Sequence, residues 1–465
     1  MATIRKGDIV ELEIEDMAYG GKGVARADGF VVFVRGGVIG DRIRGRIFTK
    51  KRNYAEADLI DLISPSKERV EAPCPYFGFC GGCQWQHIKY ETQLAFKQKS
   101  IVDSISKIAN ITGVVVNEVT PSQTSFAYRN KMEFSFSDRK WVLPEYLGTK
   151  DFDGGFALGL HVPGTYYKVI DVDNCLLQND TGNRILRAVR QYVKNSGIPA
   201  YGLKNHKGFW RFLTLRYSVS EDEWMVNLVT SENRPEIVRP LMNYLAYNFN
   251  KIGTIVNNIT ARKASISTGE KEIVLMGRGF INDSIGDFRF QISANSFFQT
   301  NTNGTKKLFE TVSRFAELSG NEYVLDLYSG TGTIPVFLSK MASNISGIEI
   351  SKSAVMDAIK NCNQNNITNC RFICGDTREI LMKIDKTPDV IIIDPPRAGM
   401  HKDVLSRVLE MAPERIVYVS CNPTTMARDL AIMAPKYKIS EIQPVDMFPH
   451  TYHIESVIKL TYRKK

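Results

Sequence analysis

The 465 residues predict an α/β protein in three parts: a small β-barrel over residues 1–63, a central α+β region over 64–294, and an α/β sheet domain over 295–465. Three observations predict it. Short strand patterns separated by glycine turns fill the N-terminal part. Strands mixed with charged helical stretches follow. From about residue 295, short apolar strands alternate with helical stretches of about 10–15 residues, which implies βαβ units and a parallel sheet. At about 150 residues per domain, the length also suggests three.

Residues 8–15 alternate Val10, Leu12 and Ile14 with Glu11, Glu13 and Glu15, a half-buried strand. Tyr19-Gly20-Gly21-Lys22-Gly23 signals a turn, and 30–34 reads as the next strand. Gly36-Gly37 and Gly40-Asp41 punctuate before a strand over 42–49, where Arg42, Arg44 and Arg46 share a face. Lys50, Lys51 and Arg52 follow with no acid among them. This is either a nucleic-acid contact or a solvated edge strand that basic residues keep from pairing. Residues 64–88 are a cysteine-bearing loop, and a helix is expected over 90–108. The central region carries strands such as 132–137 and 224–229 and helical stretches near 180–196 and 234–250. The C-terminal strands are expected at Tyr323–Leu327, 345–350, 371–374, Val390–Ile393 and 415–419.

Composition narrows the function. Hydrophobic residues make up 43% and charged residues 24%, as in folded soluble proteins. With 60 Lys+Arg against 50 Asp+Glu, the charge of +10 favours a polyanionic partner such as nucleic acid. No run approaches a membrane span, and residues 1–8 lack the apolar stretch of a secretory signal, so a cytoplasmic protein is expected. No obligate protein partner is evident. The eight cysteines then point to metal or catalysis rather than to disulfides.

Four features mark the C-terminal ends of successive strands, where open α/β sheets bind ligands. Tyr328-Ser329-Gly330-Thr331-Gly332-Thr333 lets a ligand approach the backbone at a helix start. Glu349, some 20 residues on, suits the hydroxyls of a ribose. Asp376 follows the next strand, and Asp394-Pro395-Pro396-Arg397 stiffens another strand end. Pro335 stands where a dinucleotide loop has its third glycine, so a mononucleoside with an amino-acid tail fits better: S-adenosylmethionine. An NAD or other nucleotide fold is the alternative.

Ser420-Cys421-Asn422-Pro423 places a thiol between a strand end and a helix start, a position that favours a thiolate. Glu455 lies in the aromatic and His-rich stretch 447–456. A thiolate is informative about the substrate. Exocyclic amines need no nucleophilic help, but C5 of a pyrimidine becomes nucleophilic once a thiolate adds to C6. Cys421 as nucleophile and Glu455 as base fit these roles. The alternatives are a buried structural cysteine and a solvated strand glutamate.

These segments, with Ser296-Phe297-Phe298-Gln299-Thr300-Asn301 and His453-Ile454-Glu455-Ser456, resemble the RNA 5-methyluridine methyltransferases over nearly the whole chain. The resemblance implies a Rossmann-like class I S-adenosylmethionine-dependent methyltransferase domain. It places Gln299, Tyr328, Thr333, Glu349, Asp376 and Asp394 at the donor and uridine site, with Cys421 and Glu455 catalytic. Thr333 stands where many members carry Asn. The N-terminal barrel resembles a TRAM domain, an OB-like RNA-binding module.

Cys74, Cys80 and Cys83 lie in a loop rich in glycine and aromatics, and Cys175 is available as a fourth thiol. Four thiolates suit zinc or iron–sulfur, and the five-residue gap exceeds the usual zinc spacing. The resemblance implies a [4Fe–4S] cluster on these four residues. His87 nearby reads as a satisfied histidine, and Tyr128-Arg129-Asn130-Lys131 as either a strand start or an RNA contact. A TRAM-like barrel together with a cluster resembles the 23S rRNA enzymes, with tRNA as the alternative substrate. An amino-group base methyltransferase and a non-catalytic RNA-binding protein are the remaining alternatives.

Overall fold

The computed structural model describes residues 4–27, 29–142, 155–264 and 266–463. Strands β1 (Ile9–Met17), β2 (Gly23–Ala27), β3 (Phe30–Arg35), β4 (Arg42–Lys50) and β5 (Tyr54–Ser64) close into a barrel in the order β1-β2-β3-β5-β4. Along β4, Ile43, Gly45 and Ile47 point inward while Arg42, Arg44 and Arg46 are exposed. The edge-strand reading of this segment is overturned, because β4 pairs with both β1 and β5. Closure removes the edge, and acids on the flanking strands meet the arginines: Arg44 lies 3.2 Å from Asp61 and Arg42 3.9 Å from Glu11.

Helix α1 (Tyr90–Lys107) follows the cysteine loop. The central region contains β6 (Lys131–Ser137), β7 (Lys140–Trp141), β8 (Ala157–His161), β9 (Val169–Asp171), α2 (Asp180–Ser196), β10 (Trp210–Ser218), β11 (Glu223–Thr230), α3 (Pro235–Asn248), β12 (Ile252–Ile259) and β13 (Lys271–Met276). Its strands form one sheet, β13-β12-β11-β10-β6-β8-β9-β7. Ile185 and Val189 of α2 and Leu241 of α3 share a core with Leu213, Leu215 and Leu228 of that sheet. A hairpin of β14 (Phe280–Ile285) and β15 (Phe288–Ser293) leads onward.

The C-terminal domain runs α4 (Thr302–Ala316), β16 (Tyr323–Leu327), α5 (Thr333–Leu338), β17 (Asn344–Glu349), α6 (Lys352–Gln364), β18 (Cys370–Cys374), α7 (Thr377–Leu381), β19 (Val390–Ile393), α8 (Lys402–Met411), β20 (Arg415–Ser420), α9 (Pro423–Met433), β21 (Tyr437–Val445) and β22 (Glu455–Tyr462). The sheet order is β18-β17-β16-β19-β20-β22-β21, parallel except for β22, which runs antiparallel to β20 and β21. Both faces of the sheet centre are covered, so β16, β19 and β20 are buried along nearly their whole length. Along β19, Val390 and Ile392 pack into one core, and Ile391 and Ile393 into the other. The second core also takes Ile101 and Ile105 of α1, which ties the helix after the cysteine loop to this domain.

Candidate active site

Strand order reverses between β16 and β19, and the crevice outside their carboxyl ends is where this type of sheet binds ligands. Leu327 pairs with Ile393, so Tyr328 and Asp394 step out of the sheet together. Ser420 pairs with Ser456, which sets Cys421 and Glu455 side by side at the same rim. Tyr328 holds φ at +66°, starting the sharp turn from β16 into the glycine loop. Gly330 has φ +55°, and a Cβ there would meet nothing within 4 Å, so the outer face of the loop is open. Glu349 is held by that loop: Gly330 N–H donates to its Oε2 at 2.9 Å and Ser351 N–H to its Oε1 at 2.8 Å. Thr333 opens α5 after Gly332. In the segment that carries Gln299, Phe297 O accepts from Thr331 Oγ1 of the loop at 3.4 Å. Asp376 caps α7 and forms an ion pair with Arg378 at 2.6 Å, which holds its carboxyl at about 2. Its charge is therefore shared with a guanidinium rather than turned wholly to the crevice.

Around Cys421 the electrostatics are acidic. Burial pushes the Cys421 thiol up to about 11, with Glu455 and Asp394 adding to the rise and Arg397 opposing it. In the free protein burial, with the two neighbouring carboxyls, thus works against the expected thiolate, and Arg397 works for it. Burial lifts Asp394 to about 7. Asp394 is itself only half-buried, and the protein packed around it disfavours the charged form. Burial, then Asp394, raise Glu455 well above the usual carboxylate range. Asp326 on β16 rises the same way, and both of its buried oxygens lack a partner. Asn422 Nδ2 and Thr425 Oγ1 both donate to Arg397 O, which fixes the 394–397 turn against the Cys421 turn.

Sequence reasoning missed Tyr19. It sits in the β1–β2 turn of the barrel, yet its ring meets Tyr452 edge-on at 5.5 Å. Its hydroxyl, pushed up to about 12 chiefly by burial, lies within electrostatic reach of Cys421, Arg397 and Glu455. The sequence around it carried only a turn signal. Asp326 and Arg397 stood within recognised segments without an assigned task.

The stretch between β21 and β22 is anchored from two sides. Lys97 of α1 donates to Asp446 Oδ1 at 2.6 Å and to Phe448 O at 3.0 Å, and Tyr90 Oη donates to Asp446 Oδ2 at 2.9 Å. From the cysteine loop, Gln84 N–H and Trp85 N–H both donate to His450 O at 2.9 Å. Cys74, Cys80, Cys83 and Cys175 line one cavity with Tyr76, Phe77, Leu160 and Leu177. Burial pushes Cys80 and Cys83 up to about 12. Among the described residues no three His, Cys, Asp or Glu side chains converge as ligands of a single ion do. His87 is not the satisfied histidine expected: it is buried beside Phe77, and neither ring nitrogen has a hydrogen-bond partner. Tyr128 is also unavailable to RNA, being buried with its hydroxyl on Pro449 O at 3.2 Å. Arg129 and Lys131 instead line a cleft with Thr300. No described helix is long and apolar enough to cross a membrane.

Comparison with known proteins adds the following. The family described as tRNA (uracil-5-)-methyltransferase matches residues 262–463, and the TRAM domain matches residues 5–60. A protein of Chlorobaculum tepidum named as an uncharacterized RNA methyltransferase is 41% identical over 465 residues, covering 97% of this chain and 96% of its own. A likewise named protein of Halalkalibacterium halodurans is 36% identical over 463 residues, covering 99% and 98%. Among solved structures, Pyrococcus abyssi tRNA (uracil-54, C5)-methyltransferase in complex with S-adenosyl-L-homocysteine superposes with a TM-score of 0.77 at 30% identity, covering 97% of this chain and 99% of that one.

Proposed function

The chain belongs to the RNA uracil-5-methyltransferase family, and from that premise we propose that it methylates C5 of a uridine in RNA through a covalent bond from Cys421 to the base. The observation that carries this reading is the juxtaposition of Cys421 and Glu455 across the β20–β22 pair. S-adenosylmethionine is the donor, held at the rim by Gln299, Tyr328, Thr333, Glu349, Asp376 and Asp394. Its positive sulfonium suits a crevice in which Asp326, Asp394 and Glu455 crowd together. Cys421 releases its thiol proton to solvent, Sγ adds to C6, and the electron pair moves onto the C4 carbonyl. C5 then takes the methyl group, and the donor leaves as a neutral thioether. Glu455 takes the C5 proton, the C5–C6 double bond re-forms, and the thiolate leaves. Arg397 opposes the carboxyls at the thiol and so assists its ionisation. Reaching C6 requires the uridine to be extruded from any stack.

The test is RNA carrying 5-fluorouridine, whose fluorine cannot leave as a proton does. Wild-type protein and donor should yield a stable adduct at Cys421. Cys421→Ala should yield none and should not turn over normal RNA, whereas an amino-group methyltransferase would survive that substitution. Glu455→Gln should accumulate an adduct even on uridine.

Cys74, Cys80, Cys83 and Cys175 suit a [4Fe–4S] cluster by donor type: all four line one largely apolar cavity, though their side chains do not converge there as metal ligands do. The cluster would supply ligand bonds that staple the loop to the central domain. Iron and sulfide analysis after anaerobic purification checks this, and a zinc-only result overturns it. The RNA is assigned to large-subunit rRNA, on the combination of barrel and four thiols. The likeness to the Pyrococcus abyssi enzyme favours tRNA as the second reading. Mapping 5-methyluridine in cytoplasmic RNA from a strain lacking the gene separates them by which molecule loses the mark.

A further inference from the structure

Resting on the RNA methyltransferase reading, we propose that the far end of β6 carries a second RNA subsite, a cleft that stacks an unpaired nucleotide lying outside the target uridine. The cleft has a volume of about 290 Å³ and lies between the end of β6, β7, β9 and the turn after Tyr201. Its aromatic walls are Trp141, Tyr167 and Tyr201, and its cations are Arg139, Lys140, Lys168 and Lys204. Asp138 is the one carboxylate among the described lining residues. Lys140 lies 3.6 Å from Asp171, and among the described lining residues Arg139, Lys168 and Lys204 are the further cations that could meet a phosphate chain.

The walls are fixed in advance. Arg211 covers one face of Tyr201 at 4.2 Å. Trp141 packs against Phe79 of the cysteine loop at 5.7 Å. Lys204 Nζ sits 4.1 Å over the Tyr167 ring, and both of these residues are exposed. Rigid aromatic faces beside a positive groove suit single-stranded nucleic acid, because every base has a π-face and every nucleotide a phosphate. An apolar peptide would leave the cations unmatched.

Position supports the assignment. Asn130, just before β6, donates from its backbone to Thr300 O and from Nδ2 to Gln299 O, both at 2.9 Å. One end of β6 therefore touches the donor-site segment, and the other opens into this cleft. Seven residues of strand separate them, about 20 Å. One RNA strand can engage both, with the cleft fixing its register.

Tryptophan fluorescence of the full-length protein tests this, because Trp85, Trp210 and Trp224 are buried and Trp141 is only half-buried. A 12-nucleotide oligouridylate should quench the emission, and Trp141→Phe should lose that quench. Tyr167→Ala/Lys204→Ala, at exposed positions, should raise KM for the RNA substrate about 5- to 100-fold, the loss falling on KM rather than kcat. Lys168→Ala/Lys204→Ala should lower the salt slope of binding by about 1.4. A full quench in Trp141→Phe, equal quenching by UMP at the same nucleotide concentration, or an unchanged KM in the Tyr167/Lys204 variant would each overturn the subsite. The result stays separable from the reading beneath it: wild-type protein that forms no 5-methyluridine refutes that reading, whereas normal methylation with unchanged KM refutes the subsite alone.

Discussion

Asp326, Asp394 and Glu455 have carboxyls raised by burial at one rim, with the exposed Arg397 set against Glu455 and Cys421. Asp394 at about 7 lies far above an unfolded aspartate near 3.9. The folded state then holds more protons than the unfolded chain between those values, so stability falls as pH rises through that window. Asp326 and Glu455 act with the same sign. Donor-free protein should therefore melt at a lower temperature at pH 8 than at pH 6. S-adenosylmethionine, a cation, should recover more of the loss at pH 8. Asp394→Asn should flatten part of the slope and abolish activity. A melting series across pH checks this, and an unchanged slope in Asp394→Asn would count against it. The rim positions of Cys421, Asp394 and Glu349 were legible because each ends a short apolar strand, a local pattern. The upward push on the Cys421 thiol was not legible, because it comes first from burial and then from carboxyls at the ends of β19 and β22 that sequence spacing does not bring near.

The stretch 446–455 carries Glu455 but makes little structure of its own, so neighbouring elements hold it. Lys97 and Asp446 form an ion pair in which both side chains are fully buried. Burial drives Lys97 below its usual value, and Asp446 opposes this. Removing one partner of such a pair leaves the other charge uncompensated, at a cost of about 3–5 kcal/mol. Lys97→Met should therefore destabilise the protein strongly, as read by urea unfolding. Lys97→Met/Asp446→Leu should recover much of that stability while remaining slow in turnover, because Phe448 and Tyr90 lose their partner. The cysteine loop is the second support, through Gln84 and Trp85 to His450 O. Cys80→Ser or Cys175→Ser should lower kcat more than it raises KM for the donor, and wild-type behaviour of both would remove the loop from this role. The helix containing Lys97 was legible over nearly its full length. That Lys97 lies buried was not, since a lysine among polar neighbours reads as solvent-facing until its partner, 349 positions away, is known.

Across the whole molecule, the barrel, the cysteine loop, α1 and the 446–455 stretch meet in one small apolar junction. Met17 and Val38 from the barrel pack with Trp85 and Ile88, against Phe96 of α1 and Tyr452. Trp85 Nε1 donates to Gly21 O at 3.3 Å, and Gly21 holds φ +87°, which fixes the β1–β2 turn in place. Lys99 adds a bridge to Asp16 at 2.9 Å. The consequence is that Tyr19 is held against Tyr452, within electrostatic reach of Cys421 and Glu455. A barrel that only tethered RNA would need no side chain there. Tyr19→Ala should therefore raise KM for RNA and slow adduct formation on 5-fluorouridine RNA, together about 5- to 100-fold if the ring stacks on the extruded base. Tyr19→Phe keeps the ring and should stay within about threefold, unless the hydroxyl also orients the base, in which case the loss appears in kcat alone. Single-turnover trapping with both variants separates the two roles. Wild-type trapping rates in Tyr19→Ala would reduce the barrel to a tether and leave the closeness of Tyr19 to the thiol without consequence for the reaction.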